Sequence, residues 1–92
     1  MPVVRITRHL QKFFPHLPST GFEVDGSTAA ELIRSLDALY PGIAGYLVDE
    51  QGSLRKHVNV FIDGEMAMDR AKLSDSVEKA EEVVIMQALS GG

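Results

Sequence analysis

The chain has no cysteine and no tryptophan, and it contains neither a long apolar run nor an excess of basic residues. Without cysteine it has no disulfide, thiolate metal ligand or thiol nucleophile, so sulfur chemistry on this protein requires sulfur brought by another molecule. No stretch is long enough to span a bilayer, and the N-terminus lacks the hydrophobic core of a signal peptide. These absences predict a soluble, cytoplasmic protein.

The charge balance is acidic, with 13 Asp and Glu against 9 Lys and Arg and a formal net charge of −4. This balance argues against binding to nucleic acid or to an anionic membrane and favours a protein partner. The 92 residues are 45% hydrophobic and 24% charged, which is typical of a globular protein rather than a disordered one. We therefore predict a single domain over residues 1–92.

No side-chain constellation in the sequence predicts catalysis. His9, His16 and His57 are far apart and have no cysteine near them, so no metal site is predicted and solvated histidines are the simpler interpretation. No Ser-His-Asp arrangement or carboxylate pair has a neighbouring element to orient it. The chain is predicted to contain no catalytic residue and no bound cofactor.

Two strands are predicted in the first 24 residues. Residues 2–7 place Val4 and Ile6 on one face, and residues 20–24 form a second short strand. Between them, residues 8–19 contain two prolines, which predicts a long irregular connection. Its pair of adjacent phenylalanines is expected to place one ring on the core and one at the surface, with a partner-binding patch as the alternative.

The only long helix is predicted over residues 27–40. Thr28 and Glu31 have capping-box spacing, and Pro41-Gly42 ends the helix. A short 3₁₀ turn is predicted at residues 46–48. The apolar stripe that should rest on a sheet consists of Ala29, Leu32, Ile33, Leu36, Leu39 and Tyr40.

Three strands are predicted after the helix. Residues 57–62 alternate, Asp63-Gly64 is a hairpin signal, and residues 65–68 form the returning strand. The polar residues 69–82, anchored by Leu73 and Val77, lead to an apolar strand at 83–86. The predicted order is β, β, α, β, β, β. A helix that follows two paired strands packs across one face of the sheet, and parallel pairing of the first and last strands would bury both. The predicted fold class is α+β, with a mixed sheet and one main helix.

The last residues of the sequence form a slender tail. Leu89 and Ser90 lead to Gly91 and Gly92, and residues 90–92 are expected to be flexible. A terminal carboxylate is ionised at neutral pH and must be activated before it reacts. Paired glycines would let that carboxylate enter a narrow channel in another protein. The alternative is that the glycines are a frayed end or a cloning scar.

Several motifs resemble the ubiquitin-like, β-grasp sulfur carriers of the MoaD/ThiS type, in particular the longer subtype that includes carriers for cysteine synthesis and molybdopterin synthase small subunits. The resemblance covers essentially the whole chain. Its motifs are Asp25-Gly26-Ser27-Thr28 and Tyr40-Pro41-Gly42-Ile43 around the helix, residues 58–65 in the strand and turn, residues 82–85, and Ser90-Gly91-Gly92 at the end.

The resemblance implies a function in which the chain is a substrate rather than an enzyme. An ATP-dependent adenylating enzyme, similar to ubiquitin-activating enzymes, would adenylate Gly92, and a sulfur donor would convert the product to a thiocarboxylate. Leu89, Ser90 and Gly91 would enter the partner's active site. The sulfur would pass to an acceptor held by a synthase, of which the carrier can be the small subunit, in molybdopterin, cysteine or thiamine biosynthesis.

One surface is predicted to dock on these enzymes. Phe61, Val84 and Met86 are expected to point away from the helix and, with Arg5, to form an apolar patch with a charged rim. The alternative is a sheet surface that is only weakly covered.

Three functions therefore remain open. They are a sulfur carrier, a ubiquitin-like modifier conjugated through Gly92 to lysines, and a non-covalent interaction domain whose glycines are incidental.

Overall fold

The computed structural model describes residues 1–18 and 20–87 and contains one five-stranded mixed sheet. The strand order is β2-β1-β5-β3-β4. One main helix accompanies the sheet, which confirms the predicted α+β, β-grasp architecture. The elements in chain order are β1 (Val3–Ile6), a 3₁₀ helix (Arg8–Lys12), β2 (Phe22–Glu23), α1 (Ala29–Leu39), α2 (Ala44–Leu47), β3 (Val58–Ile62), β4 (Glu65–Met66) and β5 (Glu82–Gln87).

Strand β5 lies at the centre of the sheet. It pairs in parallel with β1, where Val4 lies beside Val83, and antiparallel with β3, where Val60 lies beside Ile85. All four side chains are buried. Burying each one stabilises the fold by about 1.5–3 kcal/mol. The parallel pairing of the first and last strands confirms the sequence prediction and explains why Val83 and Ile85 are apolar, whereas Val84 is half-buried and Met86 is 50% exposed.

Helix α1 begins at the predicted cap. The Oγ1 of Thr28 accepts a hydrogen bond from the Glu31 backbone N–H at 3.2 Å, and the Glu31 carboxylate accepts from the backbone N–H of Ser27 at 3.1 Å and from its hydroxyl at 2.6 Å. These bonds from Ser27 favour the ionised form and hold the pKa of Glu31 below its usual value. The residues that α1 buries against the sheet are Ala29, Leu32, Ile33 and Leu36.

The predicted stripe of α1 is wrong at its last turn. Leu39 was expected to face the sheet, but its side chain is 58% exposed. It is the last residue of the helix and lines a shallow apolar cleft with Phe13, Phe14 and Pro41. Helical periodicity gives the direction of a side chain, whereas burial also requires a neighbouring element above it.

Two short helical segments differ from the prediction. The connection 8–19 begins with the 3₁₀ helix, whose Leu10 is fully buried, and the turn predicted at 46–48 is a turn of α-helix, α2. In α2 the Val48 N–H bonds to the carbonyl of Ala44, which is α-helical spacing. Elements this short have too few residues for a hydrophobic period to show in the sequence.

The Asp63-Gly64 hairpin confirms the sequence prediction. Both residues have positive φ, 50° and 85°, as a two-residue turn with right-handed strand twist requires. The returning strand β4 is shorter than the predicted 65–68, because the Asp75 carboxylate accepts hydrogen bonds from the backbone N–H groups of Met68 and Asp69 and so draws the chain out of the ladder.

The segment between β4 and β5 is anchored as predicted, with Leu73 and Val77 buried. The backbone carbonyls of Leu73 and Asp75 accept hydrogen bonds from Ala30 and Ala29 at 2.9 Å each. These bonds satisfy N–H groups in the first turn of α1, which have no partner within the helix. The irregular segment therefore caps the helix and also returns the chain to the start of β5.

Candidate functional site

The face of the sheet opposite the core carries the predicted docking residues. In the β3–β5 ladder, Phe61 lies opposite Val84 and Asn59 opposite Met86. Directly paired residues point to the same side of a sheet, and the alternate residues of both strands are buried in the core. Phe61 and Val84 are half-buried, and Met86 is 50% exposed. We call the surface formed by Phe61, Val84 and Met86 the outer face.

The outer face extends further than the sequence analysis recognised. Met66 pairs with Phe61 across the β3–β4 hairpin and is 53% exposed. The two-residue turn at Asp63-Gly64 sets this register, so the sequence did contain the signal. On the other side, Arg5 pairs with Val84 and forms an ion pair with Glu82. The predicted charged rim is thus present next to Val84.

The C-terminal end of β5 makes contacts on both sides, with Thr7 after β1 and with Val58 of β3. The Gln87 backbone N–H donates to Thr7 Oγ1 at 2.9 Å, and the Thr7 N–H donates to the Ile85 carbonyl at 3.0 Å. On the other side Gln87 pairs with Val58, whose carbonyl accepts from Arg70 Nη1 at 2.9 Å. The position from which the chain continues is therefore set by contacts on both sides. The predicted tail residues Leu89, Ser90, Gly91 and Gly92 lie outside the described residues.

No metal centre is present in the parts of the chain that the structure describes, where no group of three or more His, Asp or Glu side chains is placed to hold an ion. His9 instead contacts an aromatic ring, edge to face with Phe13 at 5.9 Å between centroids. Within the same described ranges, no helix has the length and apolar character needed to cross a membrane.

Comparison with known proteins supports a family assignment. The ThiS family profile matches residues 7–92. Small archaeal modifier protein 3 of Haloferax volcanii is 31% identical over 68 residues, which cover 74% of this chain and 73% of that protein. The sulfur carrier protein CysO of Mycobacterium tuberculosis is 30% identical over 81 residues, which cover 82% of this chain and 87% of that protein.

Solved structures show the same fold. The chain superimposes on a chain from the crystal structure of the Amycolatopsis orientalis BexX/CysO complex with a TM-score of 0.81, at 24% identity and with 100% of both chains covered. At this level of identity the likeness establishes the fold alone. It extends over the sheet, the main helix and the connection that carries the 3₁₀ helix.

Proposed function

The chain belongs to the ThiS family, and on that basis we propose that it is a sulfur carrier protein whose C-terminal carboxylate, on Gly92, is converted to a thiocarboxylate. The observation that carries the proposal is the family match, which runs to the two final glycines. The 30% identity to a protein named as a sulfur carrier supports it. The chain has no cysteine, so the sulfur comes from a separate donor.

The proposed chemistry takes place in partner proteins. A carboxylate oxygen of Gly92 attacks the α-phosphorus of ATP, pyrophosphate leaves, and an acyl-adenylate forms. A sulfide-level sulfur supplied by the donor then attacks the carbonyl carbon, AMP leaves, and the C–O bond to the phosphate is replaced by a C–S bond. The resulting thiocarboxylate is a nucleophile for an acceptor held by a sulfur-accepting synthase. This chain contributes its terminus and a surface that positions it.

The outer face is the surface that we propose docks on the adenylating enzyme. It combines a half-buried aromatic ring, Phe61, with the exposed apolar side chains of Met66 and Met86. Aromatic residues and methionine are enriched in protein interfaces. Strand β5 contributes to this face and ends at Gln87, just before the tail. Docking here would therefore place the start of the tail next to the partner.

Intact-mass spectrometry tests the function. The chain is co-expressed with the adenylating enzyme and sulfur donor of its own organism, and we expect intact protein heavier by the difference between one sulfur and one oxygen. Deleting Gly91 and Gly92 should abolish the shift, whereas Gly45→Ala, a matched change of a surface glycine, should leave it intact. Unmodified mass in the wild-type protein under these conditions would contradict the proposal.

A second function is favoured by one observation, the 31% identity to a protein named as a small archaeal modifier. A modifier would share the activation of Gly92 but would transfer it to lysine amines of other proteins. Digestion of cellular proteins would then yield lysines carrying the C-terminal residues of this chain through an isopeptide bond. A non-covalent interaction domain would give neither product, and blocking the terminus would leave its interactions unchanged.

Phe61→Arg tests the docking role. Burying a new charge in the interface should raise the KM for the carrier in adenylation by about tenfold or more. Met68→Arg adds the same charge on a side chain that is 91% exposed outside the strands, and it is the matched control. Met86→Arg provides a second variant on the outer face at a position that contributes little to the core. Unchanged KM in both outer-face variants would refute the docking role.

A further inference from the structure

The two ends of strand β5 differ in charge. Asp63, Glu81 and Glu82 cluster where β5 begins, with the Asp63 carboxylate accepting hydrogen bonds from the backbone N–H groups of both glutamates at 2.9 Å. Basic residues surround its exit. Arg8 follows Thr7, whose hydroxyl accepts a hydrogen bond from the Gln87 backbone N–H. Three more basic residues immediately precede Val58, the residue that pairs with Gln87 in the sheet. The basic residues around the exit are Arg8, Arg55, Lys56, His57 and Arg70.

A partly exposed aromatic pair lies next to this basic region. Phe13 stacks on Tyr46 at 5.1 Å between ring centroids, and the two side chains are 51% and 37% exposed. The Gly45 carbonyl, next to Tyr46, accepts from Arg55 Nε at 2.9 Å. The Arg55 carbonyl in turn accepts from Arg70 Nη2 at 2.7 Å. We call the surface formed by the five basic residues with Phe13 and Tyr46 the exit rim.

Two guanidinium groups of the exit rim, those of Arg55 and Arg70, donate hydrogen bonds to neutral acceptors. Arg70 Nη1 donates to the Val58 carbonyl and to Asn59 Oδ1, at 2.9 Å each, and Arg55 donates to a backbone carbonyl. In the described parts of the chain, the ion pair that the structure shows is Arg5–Glu82, near the start of β5. The exit rim therefore keeps its positive charge, although the chain as a whole is acidic.

The length of the tail places the exit rim close to the reaction. The five residues that follow Gln87 can span at most about 17 Å when fully extended. If the carboxylate of Gly92 reaches a nucleotide inside another protein, Gln87 must lie within that distance of the nucleotide, and the exit rim next to Gln87 must lie close to the surface of that protein. The exit rim must then face the entrance of the channel that receives the tail.

We propose, on the basis of the proposed function, that the exit rim docks against acidic side chains surrounding the channel entrance of the adenylating enzyme, with Phe13 and Tyr46 contacting an apolar part of the same entrance. Opposite charges on the two surfaces steer the encounter and orient the tail toward the channel. The acidic cluster at the other end of β5 disfavours docking in the reverse orientation. A nucleic-acid ligand is less compatible with the charge of the whole chain.

A pair of charge-reversal variants tests this docking. Arg8→Glu/Lys56→Glu alters two exposed rim residues whose side chains make no hydrogen bond or ion pair within the described residues. Arg34→Glu/Lys79→Glu makes the same change in net charge away from the rim. ATP–pyrophosphate exchange is measured with the adenylating enzyme over a range of salt concentrations, after thermal melts confirm that both proteins are folded.

We expect the rim variant to raise the KM for the carrier about tenfold at low salt, with kcat at saturation unchanged and a weaker dependence of KM on salt. The control variant should behave as wild type.

If wild-type carrier supports no exchange, the proposed function fails. If wild type is active and the rim variant keeps its KM and salt dependence, only the docking proposal is overturned. Inhibition of wild-type exchange by single-stranded RNA, lost in a rim variant with normal KM, would assign the exit rim to nucleic acid and would also overturn it.

Discussion

At the scale of single residues, Gly26 shows how one missing side chain fixes the start of α1. Its φ is +154°, and a Cβ built there would lie 2.7 Å from the Leu32 backbone nitrogen and 2.8 Å from the Leu32 Cα. Real Cβ atoms do not approach backbone this closely. The turn before the helix can therefore pack against α1 only if residue 26 is glycine.

Gly26→Ala should destabilise the protein by more than about 2 kcal/mol, because the added methyl group meets backbone atoms and the conformation is unfavourable for alanine. Gly45→Ala is the control, since a Cβ there has no neighbour within 4 Å, and it should change stability by less than about 1 kcal/mol. Urea denaturation measures both variants. Equal midpoints would show that the close approach at Gly26 is not a constraint.

Glu31 predicts a pH dependence of stability. Hydrogen bonds from Ser27 lower the pKa of Glu31 in the folded state, so its contribution to stability is fully present above the unfolded pKa of about 4.3 and is lost as the pH falls through the lower, folded-state pKa. Thermal melts of Glu31→Gln should therefore show a deficit relative to wild type at pH 7 that narrows in the acid range. A deficit that is constant with pH would contradict this assignment.

At the scale of elements, β5 has one face in the core and one on the outer face, and its two middle residues differ accordingly. Ile85 is fully buried beside Val60, whereas Val84 is half-buried beside Phe61. The same strand thus stabilises the fold with one set of side chains and presents the proposed docking surface with the other. This arrangement separates variants that unfold the protein from variants that affect partner binding.

Ile85→Ala should cost about 2–5 kcal/mol of unfolding free energy, because it leaves a cavity in the core. Val84→Ala should cost about 1 kcal/mol or less, since its side chain has no layer packed above it. Chemical denaturation of the two variants measures the difference. Similar losses in both would mean that the outer face is also packed as core.

At the scale of the whole molecule, the described part of the chain has one hydrophobic core. Residues from α1, α2, the connections and the three central strands contribute to this core. One continuous core is expected to unfold as one unit. The two proposed docking surfaces, the outer face and the exit rim, both border the exit of β5.

Calorimetry should show a single transition with an unfolding enthalpy of about 64 kcal/mol, which corresponds to about 0.7 kcal/mol per residue for a chain of 92 residues. The van't Hoff and calorimetric enthalpies should agree. Tyrosine absorbance and far-UV circular dichroism should also change together, since Tyr40 follows the end of α1 and Tyr46 lies in α2. Two separated transitions would contradict the prediction of a single domain.

The sequence alone was sufficient where the signal is local or strongly periodic. It predicted the capped helix, the Asp63-Gly64 hairpin, the parallel pairing of the first and last strands, and the family to which the chain belongs. Phe61, Val84 and Met86 were placed on one face because strand alternation is a local rule.

Only the tertiary structure decided the rest, because it depends on contacts between distant residues. The exposure of Leu39 depends on whether another element packs over the end of α1, and the burial of Leu10 and the early end of β4 depend on contacts with distant residues. No local pattern specifies any of the three. The exit rim brings together residues from four separate segments of the chain, so its charge becomes evident only when the sheet places them around Gln87.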